Sequence, residues 1–387
     1  MMPNFDFQCP TRIVYGPGRF ADFGELVASI GDLSRVLVVS DPGIEEVGHT
    51  QRGVESLQAA GLETLVFDGL RENPTTDHVE AGLVVAKDFR PDAIVAIGGG
   101  SSMDCCKGIN FLYSCGGRMQ DYWGVGKATG PMLPMAAAPT TAGTGSEAQS
   151  FALISDAQTH AKMACGDKRA AFRLAVLDPE LTLTQPASVT ALTGIDAISH
   201  TLETLVTKKR NQVSLAFSRE AWRLLSQGFP RVLANPDDLN ARGWVQQGAC
   251  LAGLAIENSM LGAAHALANP LTASHGIVHG QAVGLMLPHV VGHNASRSDG
   301  CKAAYEEAAA EILPIDLNNP NHAEAELTHF LTNLLREAGM AVRLEELRVD
   351  RTKLPELATN AAEQWTGSFN PVEMTADDYQ QLYEAAY

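Results

Sequence analysis

Asp92-Ala-Ile-Val-Ala-Ile97 runs directly into Gly98-Gly-Gly-Ser101, and a helical pattern follows over 102–114. Mostly apolar residues over that length, bounded by glycine, have the composition of a strand buried on both faces. Glycines at a strand-to-helix turn let a phosphate approach the backbone, and the unpaired N–H groups of the helix start attract anions. A tight β–α turn that binds nothing would read the same way. The stretch is not the dinucleotide fingerprint G-x-G-x-x-G, because Met103 stands at the third glycine position.

Outward from this turn the chain alternates. Phe5 to Tyr15 reads as a short strand or hairpin entering Gly16-Pro-Gly18, and residues 19–30 have helical periodicity. Arg35–Ser40 is a second buried strand, ended by Asp41-Pro-Gly43. A helix over 44–60, a strand at Glu63–Phe67, a helix over 76–88 and a strand at Pro134–Ala138 complete the pattern. Strands alternating with helices imply a doubly wound parallel sheet, so 1–185 is expected to be an α/β domain. Within it, 149–178 alternates as strands and ends at Asp178-Pro179. From about Thr184 helical periodicity dominates, with expected breaks at Pro186, Gly228-Phe-Pro230, Pro236, Pro270, Pro314 and Pro320. Residues 186–387 are thus expected to form a helical domain, opening with a helix over 188–207 that Ser188 caps.

Composition sets limits on partners. Acidic residues number 45 against 28 basic ones, for a formal charge of -17 with no basic run. That argues against nucleic acid and anionic membrane surfaces. Seven scattered cysteines without a C-x-x-C indicate buried free thiols in a reducing compartment rather than a disulfide framework or thiolate zinc site. The N-terminal residues lack the pattern of a signal peptide, and no apolar run approaches the ~18 residues of a membrane span. The expectation is a soluble, cytoplasmic protein.

Several residues suggest chemistry. Asp41, at a strand end, can hold a ribose 2′-hydroxyl and repel a 2′-phosphate, or simply cap the turn before Pro42-Gly43. Ala138-Pro-Thr-Thr-Ala-Gly-Thr-Gly-Ser-Glu147 is dense in hydroxyls and glycine, suited to wrapping a nucleotide or to a flexible crossover. Lys162 lies inside a strand, as a solvated edge residue or part of that site. Asp196 and His200, four apart, project from one helix face next to Leu192 and Glu203. His265 sits in an apolar run and His279 precedes Gly280. Each of the four has a bland explanation alone: a surface pair, a core histidine, a helix-terminal residue. Together, three imidazoles and one carboxylate match the mixed N/O preference of first-row divalent ions.

The chain resembles the iron-containing (group III) alcohol dehydrogenase family over nearly its whole length. The resemblance rests on Gly98-Gly-Gly-Ser-Ser-Met-Asp-Cys-Cys-Lys107, Pro139-Thr-Thr-Ala-Gly-Thr-Gly-Ser-Glu147, Ala175-Val-Leu-Asp-Pro179, Thr193-Gly-Ile-Asp-Ala197 with His200, and His265 to His279-Gly280. Asn73-Pro-Thr75 and Asn370-Pro371 also fit. It implies a dehydroquinate synthase-like fold: an N-terminal dinucleotide-binding α/β domain, a C-terminal helical metal-binding domain, and an active site in the cleft. The metal ligands carried over are Asp196, His200, His265 and His279. The nucleotide contacts carried over are Asp41, Asn73, Gly99, Gly100, Ser101, Asp104, Thr140, Thr141, Thr144 and Lys162. Of these, Asn73, Asp104 and Lys162 rest mainly on the family.

The expected activity is NAD(H)-linked interconversion of a small primary alcohol and its aldehyde, with NAD favoured over NADP by Asp41. The metal acts as a Lewis acid on the substrate oxygen, and the nicotinamide carries the hydride. Fe²⁺ is the namesake metal, while Zn²⁺, Mn²⁺ or Ni²⁺ suit the same ligands. Residues near Phe151 and Met260 are expected to line the pocket, and a homodimer follows by analogy. One position departs from the pattern. Many primary-alcohol members carry a proton-relaying histidine four residues after the first ligand of the histidine pair, where this chain has Asn269. Asparagine is no general base near neutral pH. His275, or water, is the expected replacement. A glycerol-type polyol dehydrogenase is the nearest rival reading. A dehydroquinate-synthase-like lyase would need basic residues for its phosphate and carboxylate, and 250–290 contains no Lys or Arg.

Overall fold

Every residue of the strand Ala93–Gly98 is buried, and its side chains alternate between two hydrophobic cores. That alternation organises the first of two units, Gln8–Gln185 and Pro186–Tyr387, into which the chain divides. The described residues before Gln8 group with the second unit. The structure is a computed structural model and describes residues 4–312 and 322–387.

The strands are β1 Arg12–Tyr15, β2 Arg35–Val39, β3 Glu63–Phe67, β4 Ala93–Gly98, β5 Gly124–Val125, β6 Met135–Pro139, β7 Phe151–Ser155, β8 Lys162–Gly166 and β9 Leu174–Leu177. Six of them form a sheet in the order β1-β9-β6-β4-β2-β3, every pairing parallel. The helices of this unit are α1 Phe23–Ala28, α2 Pro42–Glu46, α3 His49–Ala59, α4 Thr76–Phe89 and α5 Gly100–Cys115. Leu37, Val39, Ile94, Ala96, Met135 and Ala137 face a core shared with α4 and α5. Val36, Val38, Val95, Ile97, Ala136 and Ala138 face one shared with α1 and α3. Both faces are covered, which is why these strands read as continuous apolar runs. The chain winds from β2 out to β3, then returns to β4 on the other side of β2. The loops after β2 and β4 therefore meet at a topological switch point, where such sheets bind ligands.

Three expectations change here. Only Arg12–Tyr15 of the 5–15 segment is a strand, because its parallel partner begins opposite Arg12 and Pro10 has no N–H for the ladder. The 44–60 helix is two helices, split at Gly48, whose φ of 82° cannot continue a right-handed helix. The 149–178 strands do not all join the main sheet. β7 and β8 pair antiparallel and, with β5, form a separate three-stranded sheet whose Ala152, Ile154, Met163 and Cys165 enter the α4–α5 core.

The second unit contains α6 Ala187–Val206, α7 Gln212–Ala234, α8 Leu239–Glu257, α9 Ala263–His275, α10 His279–Arg297, α11 Asp299–Ile312, α12 His322–Glu337, α13 Leu354–Ala362 and α14 Ala376–Ala385. α6 is buried without interruption from Gly194 to Val206 and packs against α7, α8 and α10. Its N-cap position is Pro186 rather than Ser188, with the Thr190 N–H closing the first turn on the Pro186 carbonyl at 2.9 Å. Proline's fixed φ suits that start. Pro230 and Pro270 lie inside α7 and α9 and end neither. An interior proline, which loses one helical hydrogen bond and crowds the preceding turn, costs about 3 kcal/mol, which burial of residues such as Leu224, Leu225 and Phe229 around Pro230 offsets. Pro314 and Pro320 lie outside the described residues. No helix among the described residues is long and apolar enough to cross a membrane. The cysteines are free thiols; five are buried, Cys115 is half-buried, and Cys9 is exposed, contrary to expectation.

Candidate metal centre and nucleotide loop

In the helical unit, α6 places Asp196, His200 and Glu203 on one face at helical spacing. His265 comes from the first turn of α9 and His279 opens α10. The Asp196 Oδ1 atom lies 3.4 Å from His200 Nε2, 3.5 Å from His265 Nε2 and 3.8 Å from His279 Nε2. Donor atoms of Asp196, His265 and His279 all fall within 4.8 Å of one another. The His200 and His265 rings stack with centroids 5.0 Å apart.

This arrangement fits a divalent cation. Metal–ligand bonds of about 2.1 Å at tetrahedral angles separate donors by about 3.4 Å, close to the spacings here. Asp196 Oδ1 and His265 Nε2 are buried and make no hydrogen bond within the protein. Burial opposes charge on Asp196, yet His200, His265 and His279 hold its carboxyl well below the usual carboxylate range.

Glu203 completes the centre, although its sequence context suggested nothing more than an acidic neighbour. Its Oε2 lies 2.5 Å from His265 Nδ1, and its Oε1 accepts the backbone N–H groups of Ala264 at 2.8 Å and His265 at 3.3 Å. The Nδ1–H of His265 is thereby tied to a carboxylate and Nε2 is left for a cation, a common way to orient a ligating imidazole. Burial disfavours charge on His265, but Glu203 and Asp196 raise its pKa to about 9. An acidic residue seven after Asp196 on a buried helix was the available signal.

The other candidates of this unit separate from the four. Asn269 donates to Gln364 Oε1 at 3.0 Å. His275, the last residue of α9, shares a hydrogen bond with Ser274 Oγ at 2.8 Å and lies close enough to Asp350 to affect its ionisation. Ten residues of helix separate it from His265, about 15 Å along the axis. Met260 is half-buried between α8 and α9. Asn370 is buried, and its amide exchanges two hydrogen bonds with that of Asn294.

In the α/β unit, the nucleotide candidates gather at the switch point. α5 begins at Gly100, two residues earlier than its periodicity suggests, so Gly100, Ser101 and Ser102 form its first turn. Their N–H groups have no intrahelical acceptor. Asp41 caps α2 by accepting from the Gly43 and Ile44 N–H groups at 3.1 and 3.2 Å, and its Oδ2 accepts from Ser102 Oγ at 3.1 Å. Asn73, exposed with φ 54°, donates its N–H to Ser101 Oγ at 3.2 Å.

The Thr140–Glu147 loop lies against this turn. The Thr140 N–H bonds the Gly98 carbonyl at 3.0 Å, and the buried Thr140 Oγ1 has no hydrogen-bond partner. A Cβ on Gly99 would stand 3.1 Å from the Thr141 side chain, and one on Gly100 would stand 2.8 Å from Thr144. Asp104, one turn into α5, is buried and accepts from Ser146 Oγ at 2.7 Å; burial pushes its carboxyl up against the pull of Lys107. Lys162 is exposed at the start of β8, opposite Ser155, and its charge also acts on Asp104. Phe151 is half-buried at the start of β7.

Comparison with known proteins gives this geometry its context. The family model "Iron-containing alcohol dehydrogenase" matches residues 10–179, and "Fe-containing alcohol dehydrogenase family, C-terminal" matches 190–387. Alcohol dehydrogenase 4 of Schizosaccharomyces pombe is 34% identical over 386 residues, covering 100% of this chain and 90% of that one. The NAD-dependent methanol dehydrogenase of Bacillus methanolicus is 32% identical over 381 residues, covering 98% and 99%. A crystal structure of 1,3-propanediol oxidoreductase superposes with a TM-score of 0.95 at 29% identity, covering 100% of both chains. The chain belongs to the iron-containing alcohol dehydrogenase family.

Proposed function

We propose that this protein interconverts a small primary alcohol and its aldehyde, using NAD(H) and one divalent metal held by Asp196, His200, His265 and His279. It is an NAD-dependent alcohol dehydrogenase, as its curated relatives are alcohol, methanol and propanediol dehydrogenases. A glycerol-type polyol reading is not favoured. The observation that carries the metal assignment is the approach of three imidazole nitrogens to one buried carboxylate oxygen. Iron is the metal named by the family, and zinc suits the same nitrogen and oxygen donors.

When bound, the metal supplies Lewis acidity toward the substrate oxygen. NAD(H) supplies the hydride carrier. The chain's own residues do the rest. Glu203 fixes the orientation of His265, and burial of Asp196 and His265 keeps competing water from the donors. The first turn of α5, with Thr140, Thr141 and Thr144, offers N–H and hydroxyl groups to the cofactor's phosphates, and Asn73, Asp104 and Lys162 make further contacts. Asp41 selects against a 2′-phosphate by charge. Proton exit runs through water, with His275 as the candidate relay at its outer end, because Asn269 cannot exchange a proton.

The free thiols support a reducing, cytoplasmic setting, and a homodimer follows from the family. The deciding experiment is metal analysis of the purified protein coupled to NADH oxidation over a series of short aldehydes. Turnover should depend on a stoichiometric divalent metal and prefer NADH to NADPH. Failure of every metal-replete preparation to oxidise NADH would end this reading.

A further inference from the structure

Lys107 is fully buried on α5, one turn beyond Asp104. A buried ammonium is costly unless its donors are satisfied. Its Nζ donates to the Ser146 carbonyl, to Ser146 Oγ and to the Phe151 carbonyl, each at 2.8 Å, and it stands 5.1 Å from the centre of the Phe172 ring. Three donors on an ammonium meet three acceptors. Ser146 Oγ, while accepting from Lys107, donates its own hydrogen to Asp104 Oδ1 at 2.7 Å. The Ser146 N–H in turn donates to Thr144 Oγ1 at 3.3 Å.

These bonds pin one end of the hydroxyl-rich loop to α5, while the Thr140–Gly98 backbone bond pins the other to β4. Thr141 and Thr144, between the two pins, are the residues whose side chains fill the space a Cβ on Gly99 or Gly100 would need. The geometry points to Lys107 as a positioning residue: through Ser146 it sets the Thr140–Glu147 loop over the first turn of α5 and orients Asp104, so that both are ready for the nicotinamide dinucleotide. The inference rests on the nucleotide reading of this loop. It gives Lys107 a role in cofactor affinity, since Lys107 is too deeply buried to touch the cofactor itself.

The test compares NADH binding, followed by fluorescence titration, in the full-length wild type, Lys107→Met and Ser146→Ala. Lys107→Met is expected to raise the NADH Kd about tenfold or more, with metal content and circular dichroism unchanged, since the metal ligands lie on other elements. In steady state the loss should fall on KM for NADH more than on kcat, and NADH should raise Tm less than it does in the wild type. Ser146→Ala, which keeps the lysine and removes one hydroxyl, should weaken binding several-fold and stands in if Lys107→Met does not fold. Wild-type Kd in either folded variant overturns the inference and leaves the cofactor assignment standing. A wild-type chain that binds no NADH overturns the nucleotide reading, and this inference with it.

Discussion

His265 Nδ1 lies 2.5 Å from Glu203 Oε2, so a carboxylate on α6 sets the imidazole of a residue on α9. The same carboxylate accepts two N–H groups in the first turn of α9, those of Ala264 and His265, which joins the orientation of a candidate ligand to the start of its helix. Glu203→Gln keeps the shape and removes the charge. It should weaken metal affinity by about 10–100-fold, the usual cost of losing a partner behind a ligating histidine. Chelator competition monitored by metal analysis measures this, and unchanged affinity would deny Glu203 the role.

Asp196 Oδ1 is the atom on which the three imidazoles converge, so Asp196→Asn should abolish stoichiometric metal. In the wild type, added Zn²⁺ or Fe²⁺ at about 100 times Kd should stabilise the fold by about 2.7 kcal/mol, because only the folded state holds the donors together. Scanning calorimetry should show a metal-dependent Tm in the wild type and none in Asp196→Asn. Equal metal-induced shifts in both would place the ion elsewhere.

Gly280 follows His279, and a Cβ on it would stand 2.3 Å from the Leu192 carbonyl oxygen. That contact is backbone, which cannot swing aside. Gly280→Ala should force α10 away from α6, costing about 1–3 kcal/mol as overpacking does, and should carry His279 away from Asp196. Denaturant unfolding and metal titration should therefore worsen together; loss of stability with full metal affinity would separate the two.

The Asp156 carboxyl is held down to about 2 from an ordinary 3.8, chiefly by the Thr159 N–H and then by the Gln120 side chain and the Gln158 N–H. A depressed acid stabilises the fold above its unfolded pKa and loses that contribution as pH falls through its folded one. Asp156→Asn should thus be less stable than the wild type at neutral pH, with the gap closing between about pH 4 and 2. A gap independent of pH would assign the loss to packing.

His275→Ala tests the proton path. If His275 relays at the outer end of a water chain, the variant should shift the pH–rate profile and slow turnover at constant metal content. An unchanged profile leaves the relay to water alone.

Much of this molecule is legible in its sequence. The β4 run, its glycine turn and the alternation around it specified a parallel sheet, because a strand covered on both faces must be apolar throughout. Asp196, His200, His265 and His279 likewise stand out as candidate ligands by residue type, since few side chains bind divalent ions, and the family motifs carry the same four. Other features depended on partners distant in the chain. Gly48 splits a helix that periodicity runs together, and β7 and β8 leave the main sheet through pairings that no local pattern encodes. Glu203 and Lys107 are the clearest cases. A charged residue in an apolar helix has no meaning until its partner is known, and theirs are 62 and 39 residues away, at His265 and Ser146. The layers and the candidate ligands are legible along the chain, since both follow from side-chain type and spacing. Which buried charge bonds which group is settled by folding, because a buried charge takes its role from the atoms brought within hydrogen-bond reach.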